Sequence, residues 1–568
     1  MKLPSQFSIQ ELTFWYKKKY FTPIDVFTEI GDRIEKHRSK NIWINVFDSK
    51  KIKQWLDKAN PNGALYGIPF AIKDNIDLKG VMTTAGCEGF GYFPKKSAFV
   101  VEQLMLAGAI PIGKTNLDQF ATGLVGTRSP YGACHHSSHL KSISGGSSSG
   151  SAVALALGMC AFSLGTDTAG SGRVPAALNK ICGYKPTPGI LSMHGVVPAC
   201  LSLDTISIFY RHHSDMASLL PIITKKDSED AFQINELNRD VLTVKPYATV
   251  NIDDVVWKGQ GHYKQYFDRG LSSLRTQGFN IVEENCEVFF EVARLLYEGP
   301  WIAERYASVG KFIESHGKGV DPTVAQIILG AKDLKAVDAF NAMYLLSQKK
   351  KIIKEFFEKY SGLILPTIGG WFTRDEIEAD PIGLNSYLGT FTNFANLLGL
   401  SACAFPVNLS AIESDPGFGL TLFQPGCEDL AVLENAHKMK DALDFIPIAV
   451  CGAHLKGEPL NYQLVDMGAI FRKVTRTLPN YAMVALSTLK PGMYRKEFDG
   501  DALEVEVWDV PKAKYGAFVN SIDAPLGVGK IELCDGELVT GFLVEPYVVS
   551  DFKDISRYGG WREYKNSI

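Results

Sequence analysis

The chain is 568 residues long, 46% hydrophobic, 11% aromatic and 21% charged. That is too long for one ordinary domain of roughly 100–200 residues, and the composition excludes a disordered, collagenous or coiled-coil chain. Lys and Arg number 59 against 62 Asp and Glu, a net charge of −3, so the sequence carries no electrostatic footprint for nucleic acid or an anionic membrane surface.

The amino terminus, MKLPSQFSIQELTFWYKKKYF, has no apolar run ahead of a small-residue cleavage site, and no signal peptide is read there. Residues 7–60 read as helical, with Ile9, Leu12 and Trp15, then Val26, Ile30 and Ile34, at helical spacing. From Ala64 the texture shifts to short apolar runs punctuated by glycine, LYGIPFAIKDN and then VVEQLMLAGAIPIGKTN. The second run predicts a helix ending at Gly108 that feeds a strand over Ala109–Ile112. Residues 140–200 concentrate small side chains and are expected to wrap around a site. Residues 230–360 return to helical texture, and SGLILPT (361–367) and SACAFPVNL (401–409) read as buried strands. This alternation predicts an α/β fold with helices on both faces of a sheet.

Near residue 447 the texture changes again. LENAHKMKDALDFIPIAV closes a helix, and strands are predicted at Ala482–Leu486, Leu503–Val510, Lys530–Leu533 and Leu538–Leu543, with a hairpin turn at Asp535-Gly536. The predicted division is an α/β domain over 1–447 and a smaller β-rich α+β domain over 448–568.

The ten cysteines are scattered singly, with no CxxC pair, so neither a zinc knuckle nor a redox dithiol is signalled. They read as small buried thiols of a reducing compartment. The stretch from Ser151 to Gly165 falls short of the roughly 20 residues a membrane span needs. A cytoplasmic protein is expected, and Asn408-Leu409-Ser410 is then no glycosylation site.

Two motif matches fail on physical grounds. Gly108–Thr115 satisfies the phosphate-loop pattern letter for letter, but such a loop must point free backbone N–H groups at phosphates and then open a helix. Here its interior is Ile110-Pro111-Ile112, bulky and short of one N–H. Gly146–Gly150 fits the nucleophile-elbow pattern, which needs an acid and a histidine later in the chain. His194, His212, His213, His262, His316, His437 and His454 sit in no recognisable context for that role.

A constellation carries more weight. Lys73 closes the apolar run GIPFAIKDN; GGSSSGS (145–151) follows, and then GTDTAGSGR (165–173). A lysine in an apolar site loses its preference for the charged form and can act as a base. A serine hydroxyl is a poor nucleophile until such a base takes its proton. Small residues before Ser171 let successive backbone N–H groups converge on one oxygen, as an oxyanion hole requires.

Together these segments resemble the amidase signature family, densely over residues 60–215 and more loosely to about 445. The resemblance implies an α/β fold with a central mixed sheet and a Ser-cisSer-Lys triad: Lys73 as base, Ser147 as the bridging serine after a cis peptide, Ser171 as the nucleophile. Ser147 and Ser171 lie 24 residues apart, as the family's serines usually do. It also implies an oxyanion hole from the N–H groups of Thr168, Ala169, Gly170 and Ser171, with no cofactor and no metal.

The tail narrows the family. GAHLKGEPLNYQL (452–464), EVEVW (504–508), APLGVGKIEL (524–533), GFLVEP (541–546) and GGWREY (559–564) resemble the carboxy-terminal domain of allophanate hydrolases, and YEGPWIAERY (297–306) is similar to a segment of the same enzymes. The resemblance implies that Tyr297 and Arg305 engage a substrate carboxylate, which suits an arginine fork on a planar anion. It implies amide hydrolysis of allophanate to ammonia and N-carboxycarbamate, whose decarboxylation the tail promotes, as the second step of ATP-dependent urea degradation. His454 is the candidate general base there, with Asn461, Gln463 and Glu545 as companions, because imidazole titrates near neutral pH. The implied partners are the small anionic substrate, a biotin-dependent urea carboxylase expected on a separate chain, since no biotin-carrier segment follows Ile568, and a second copy in a homodimer. No nucleic acid or membrane is expected.

Two departures stand out. ACHHSSHLKSIS (133–144) places His135, His136 and His139 where relatives carry an Asn/Asp/Pro-type turn, and it reads as a solvent-exposed loop rather than a metal site. Val544 stands where many relatives carry cysteine. The alternatives are a general amidase with a diverged appendage, and an amidotransferase-type subunit whose tail is an assembly module. The intact Lys73, Ser147 and Ser171 argue against a dead scaffold.

Overall fold

A computed structural model describes residues 3–234, 245–316, 319–407, 415–487 and 490–568. The chain forms two compact units. The first comprises residues up to Asp268, Asn280–Val407 and Asp415–His437; the second takes in Arg269–Phe279 and everything from Lys438 onward.

The first unit is built on eleven strands: β1 (Trp43–Val46), β2 (Pro69–Lys73), β3 (Ile110–Thr115), β4 (Phe162–Asp167), β5 (Cys182–Lys185), β6 (Thr205–Tyr210), β7 (Tyr247–Thr249), β8 (Ile281–Glu283), β9 (Gly362–Pro366), β10 (Ser401–Pro406) and β11 (Gly419–Gln424). They form one sheet in the order β1-β3-β2-β4-β6-β5-β10-β11-β9-β7-β8. It is mixed: β2 runs parallel to β3 and β4, and β7 to β8 and β9, while the strands between pair antiparallel. The expected α/β fold with a central mixed sheet is what forms. Every residue of β2, β3 and β4 is buried, which is why these strands read as apolar runs rather than alternations. A parallel neighbour needs a crossover, and the helix Phe99–Leu106 supplies it between β2 and β3.

The amino-terminal 60 residues differ from a purely helical reading. Helices Ile9–Lys18 and Pro23–Lys36 are closed at their starts by the capping boxes of Ser8 and Thr22. The strand β1 then intervenes before the helix Ser49–Lys58. Four residues are too few to break a helical periodicity in the sequence; only pairing with β3 makes them a strand. The same holds for β7 and β8, three residues each inside the helical stretch. Of the predicted strand 401–409, residues 408 and 409 lie outside the described residues.

The second unit holds a five-stranded sheet, β13-β16-β12-β18-β17, from β12 (Phe445–Val450), β13 (Ile470–Arg476), β16 (Glu504–Pro511), β17 (Leu526–Glu532) and β18 (Leu538–Val544). A three-stranded sheet joins β15 (Pro491–Arg495), β14 (Tyr481–Ala485) and β19 (Lys553–Asp554). The smaller unit is thus β-rich, as expected, and Gly536 at φ 84° makes the turn between β17 and β18. FIPIAV, taken in the sequence as the close of a helix, is instead β12, a central strand between β16 and β18. Its partners lie far downstream in the chain, where no local pattern reaches.

Candidate active site

Parallel pairing of β2 with β4 sets Ile72 against Leu164. Their carboxyl ends therefore deliver Lys73 and Thr166 side by side, the edge of a sheet where α/β folds place ligands. The Lys73 amine, fully buried, donates to Ser147 Oγ at 2.7 Å and to Thr166 Oγ1 at 2.7 Å. Asn75 Nδ2 reaches the same threonine hydroxyl at 3.4 Å and Val197 O at 3.2 Å. Burial pushes the Lys73 amine from its usual 10.5 down to about 7; the carboxylates of Asp118, Asp204 and Asp167 oppose that shift and Arg305 adds to it. A lysine near pH 7 is a base, not a fixed cation.

Ser147 follows a cis Gly146-Ser147 peptide and precedes the helix Ser149–Ala156. That helix is made of small residues and buried over Ser149–Leu155, because backbone on both sides comes close: a Cβ on Gly150 would meet Ile42 O and the Asn116 backbone. Ser148 Oγ is occupied, donating to Thr166 O at 3.1 Å and accepting from Thr166 N. This leaves no role for an elbow nucleophile at Ser148.

Ser171 sits in the turn after β4, 2% exposed, its hydroxyl 3.5 Å from Gly123 O. No hydrogen bond joins it to Ser147 among the described residues. Arg173 locks the turn from beneath, its guanidinium forking onto both oxygens of Asp167 at 2.9 Å, and Asp167 also accepts the Gly172 N–H at 3.0 Å. Burial opposes the Asp167 charge, but Arg173 outweighs it and holds the carboxyl below the usual carboxylate range. On the other side, Thr168 Oγ1 donates to Asp204, whose carboxylate also takes the N–H groups of Ala199 and Cys200. Gly170 has φ 140°, and a Cβ there would strike the Thr392 side chain. The backbone N–H groups of Thr168, Ala169, Gly170 and Ser171 find no acceptor among the described residues, so they stand available to an incoming oxygen.

Arg305 ends the helix Ile302–Arg305, where a π-helical turn, Tyr306–Gly310, begins; such turns recur at functional sites. The guanidinium is buried, with Nη1 on Thr122 Oγ1 at 2.9 Å and Ala121 O at 3.3 Å. Its centre lies 5.7 Å from the Tyr297 ring centroid. Arg305 Nη2 is buried with no hydrogen-bond partner. A buried charged donor without an acceptor is costly, and an anion would satisfy it.

In the second unit His454 lines a cavity of about 260 Å³ together with Cys451, Gln463, Lys490, Asp523 and Phe542. Its Nε2 lies 2.9 Å from Gln463 Oε1, and Asn461 Nδ2 donates to His454 O at 2.9 Å. Burial pushes the imidazole pKa down, Gln463 opposes this and Lys490 adds to it. Glu545 is exposed and does not line this cavity.

The histidine-rich loop is exposed at Ser138, Leu140 and Lys141, as expected, but not at His136. His136 is 1% exposed, its Nε2 is 2.7 Å from Leu178 O, and its Nδ1 accepts from the N–H groups of Ser138 and His139. His139 Nδ1 accepts from Ser142 N, and its ring meets Trp371. His136 and His139 serve as caps for a tight loop, and His135, His136 and His139 form no metal cluster among the described residues. Lys114 of the phosphate-loop match lies in β3, buried against Asp74 at 3.2 Å. Eight cysteines are buried, Cys427 is half-buried and Cys534 exposed; none of the ten is in a disulfide.

Sequence reasoning passed over Asp118, Asp204 and Thr166. Thr166 and Asp118 lie inside or beside recognisable motifs, whereas Asp204 reaches Thr168 only because β6 folds back on β4.

The amidase family model matches residues 25–433. The chain belongs to the amidase family. A model of the allophanate hydrolase C-terminal domain matches residues 446–566. The chain is 39% identical over 573 residues to the urea amidolyase of Saccharomyces cerevisiae, covering 92% of this chain but 31% of that protein; it thus spans about a third of that relative's length. It is 32% identical over 411 residues to a glutamyl-tRNA(Gln) amidotransferase component of Archaeoglobus fulgidus, a match to 68% of this chain and 89% of that one. Among solved structures, the allophanate hydrolase of Kluyveromyces lactis superimposes with a TM-score of 0.72 at 34% identity, covering 99% of each chain.

Proposed function

We propose that this amidase is an allophanate hydrolase. The observation that carries the reading is the buried, unpartnered Nη2 of Arg305, an anion-seeking donor in the same unit as the Lys73–Ser147 pair. Similarity to the Kluyveromyces lactis enzyme along the whole chain supports it. Neutral Lys73 takes a proton through Ser147 from Ser171, whose oxygen attacks the terminal amide carbonyl of allophanate. The oxyanion draws on the N–H groups of Thr168, Ala169, Gly170 and Ser171. The C–N bond breaks, the nitrogen leaves as ammonia with a proton returned through Ser147, and water then releases N-carboxycarbamate from Ser171. Arg305 and Tyr297 hold the substrate carboxylate. In the second unit N-carboxycarbamate loses carbon dioxide: a C–N bond breaks, its electron pair stays on nitrogen, and His454 manages the proton that nitrogen must gain. Complete breakdown yields two ammonia and two carbon dioxide.

The test is ammonia release from allophanate, malonamate and a simple aryl amide by wild type and Ser171→Ala. Activity on allophanate that vanishes in the variant supports the reading; faster turnover of the neutral amide with allophanate untouched sinks it in favour of a general amidase.

The setting follows from the same reading. Allophanate would come from a biotin-dependent urea carboxylase, and similarity to the urea amidolyase of Kluyveromyces lactis, of which this chain covers 37%, supports that coupling. Ten cysteines without a disulfide suit a cytoplasmic location, and no helix among the described residues is long and apolar enough to cross a membrane. A homodimer is supported by the exposed Val337, Phe340, Met343 and Tyr344 on the helix Ala336–Lys359; light scattering reading a monomer would refute it.

A further inference from the structure

The segment Thr115–Gly123 contains an acid that the reaction above does not use. Asp118 is fully buried. Its carboxylate accepts three backbone N–H groups, Val125 at 3.1 Å, Gly126 at 3.0 Å and Arg128 at 3.0 Å. Its own N–H donates to Ser147 O at 3.1 Å. Gly146 and Gly123 both press against it so closely that a Cβ on either would meet the carboxylate. The loop it gathers, residues 122–128, carries Gly123 O against the Ser171 hydroxyl and Thr122 Oγ1 against Arg305 Nη1.

We propose that Asp118 is a positioning residue for both ends of the site: its backbone holds Ser147, whose hydroxyl takes the Lys73 amine, and its carboxylate sets the loop that touches Ser171 and Arg305. The second half of the proposal is electrostatic. The charged groups acting on Lys73 are Asp118, Asp204, Asp167 and Arg305, and among the three acids Asp118 has the largest influence. Burial pushes Asp118 itself up, while Arg128 and the three N–H groups stabilise its charge. A negative charge beside the amine favours the ammonium, so Asp118 keeps Lys73 from becoming neutral at too low a pH. A purely structural acid would hold the loop without setting the pH at which the centre switches on.

The inference rests on Lys73 and Ser171 as base and nucleophile, but not on the identity of the substrate. The experiment therefore uses a small fluorophosphonate that labels the activated serine, with labelling rate followed against pH by mass spectrometry in the full chain. In Asp118→Asn the half-maximal pH should fall by roughly one unit and the plateau rate by about tenfold. An unchanged midpoint, whatever the plateau, overturns the electrostatic half. If Asp118→Asn does not fold, Asp118→Ser, which retains a small acceptor, takes the same measurement; failure of both to fold reduces Asp118 to a structural role and overturns the proposal. Wild type that labels normally at Ser171 yet leaves allophanate intact refutes the substrate assignment alone.

Discussion

The two candidate sites of this chain use burial in opposite ways. In the first unit, burial moves the Lys73 ammonium toward neutrality near pH 7, turning an ordinary cation into a base, while acids at Asp118, Asp167 and Asp204 limit the shift. In the second, burial pushes the His454 imidazole pKa down, with one side-chain hydrogen-bond partner, Gln463, and two phenyl rings, Phe518 and Phe542, beside it. The first site is a dense polar network in which nearly every group answers to another; the second is a mostly apolar pocket in which His454 shares the lining with Cys451, Lys490 and Asp523. A network tolerates loss of a member poorly, because partners are left buried and unpaired. An imidazole with a single side-chain hydrogen-bond partner can be replaced with less damage to the fold.

That contrast orders the expected effects. Ser171→Ala should abolish ammonia release, a loss of at least about a thousandfold, since nucleophile and base act as a unit. In wild type kcat/KM should rise with pH through a midpoint near 7, because Lys73 must be neutral to act and its pKa is about 7; a flat profile between pH 6 and 8 would remove Lys73 as the base. Arg305→Gln should raise KM for allophanate about a hundredfold, as expected when one partner of a buried charge pair is lost, and leave a neutral amide nearly untouched. Equal losses on both would place Arg305 in the general scaffold. His454→Asn should leave ammonia release from the first amide bond intact and slow carbon dioxide release by about a hundredfold, measured by carbon dioxide evolution beside ammonia.

The smallest effect concerns stability. Burial pushes His136 from its usual 6.5 down to about 3, so the unfolded chain binds more protons than the folded one between those values. Stability is then present above about pH 6.5 and falls as pH drops toward 3, by on the order of a few kcal/mol. Thermal unfolding of His136→Gln should show a shallower loss across that window than wild type.

The segments that meet at the first candidate site were legible along the chain, for a physical reason. Lys73, Ser147 and Ser171 lie in three short segments whose glycines and small residues have few other uses, and the strand that presents Lys73 is a plain apolar run. Short strands such as β1 and β7, and the central strand β12, were not legible, because pairing with distant segments makes them strands. His136 was illegible in a similar way: a polar residue in sequence looks exposed, yet it is buried because its two ring nitrogens meet backbone partners at Leu178, Ser138 and His139.

By itself, then, the sequence determined the two textures, an α/β unit and a β-rich tail, and the short segments in which Lys73, Ser147 and Ser171 lie. Those depend on local composition and on spacing, which a linear chain contains in full. The tertiary structure alone decided that Thr166 shares the Lys73 amine with Ser147, that Asp204 fixes Thr168, and that Arg305 Nη2 is left without an acceptor. Each depends on segments 36 to 183 residues apart meeting in a water-poor interior, where a single hydrogen bond or its absence changes how a charge behaves.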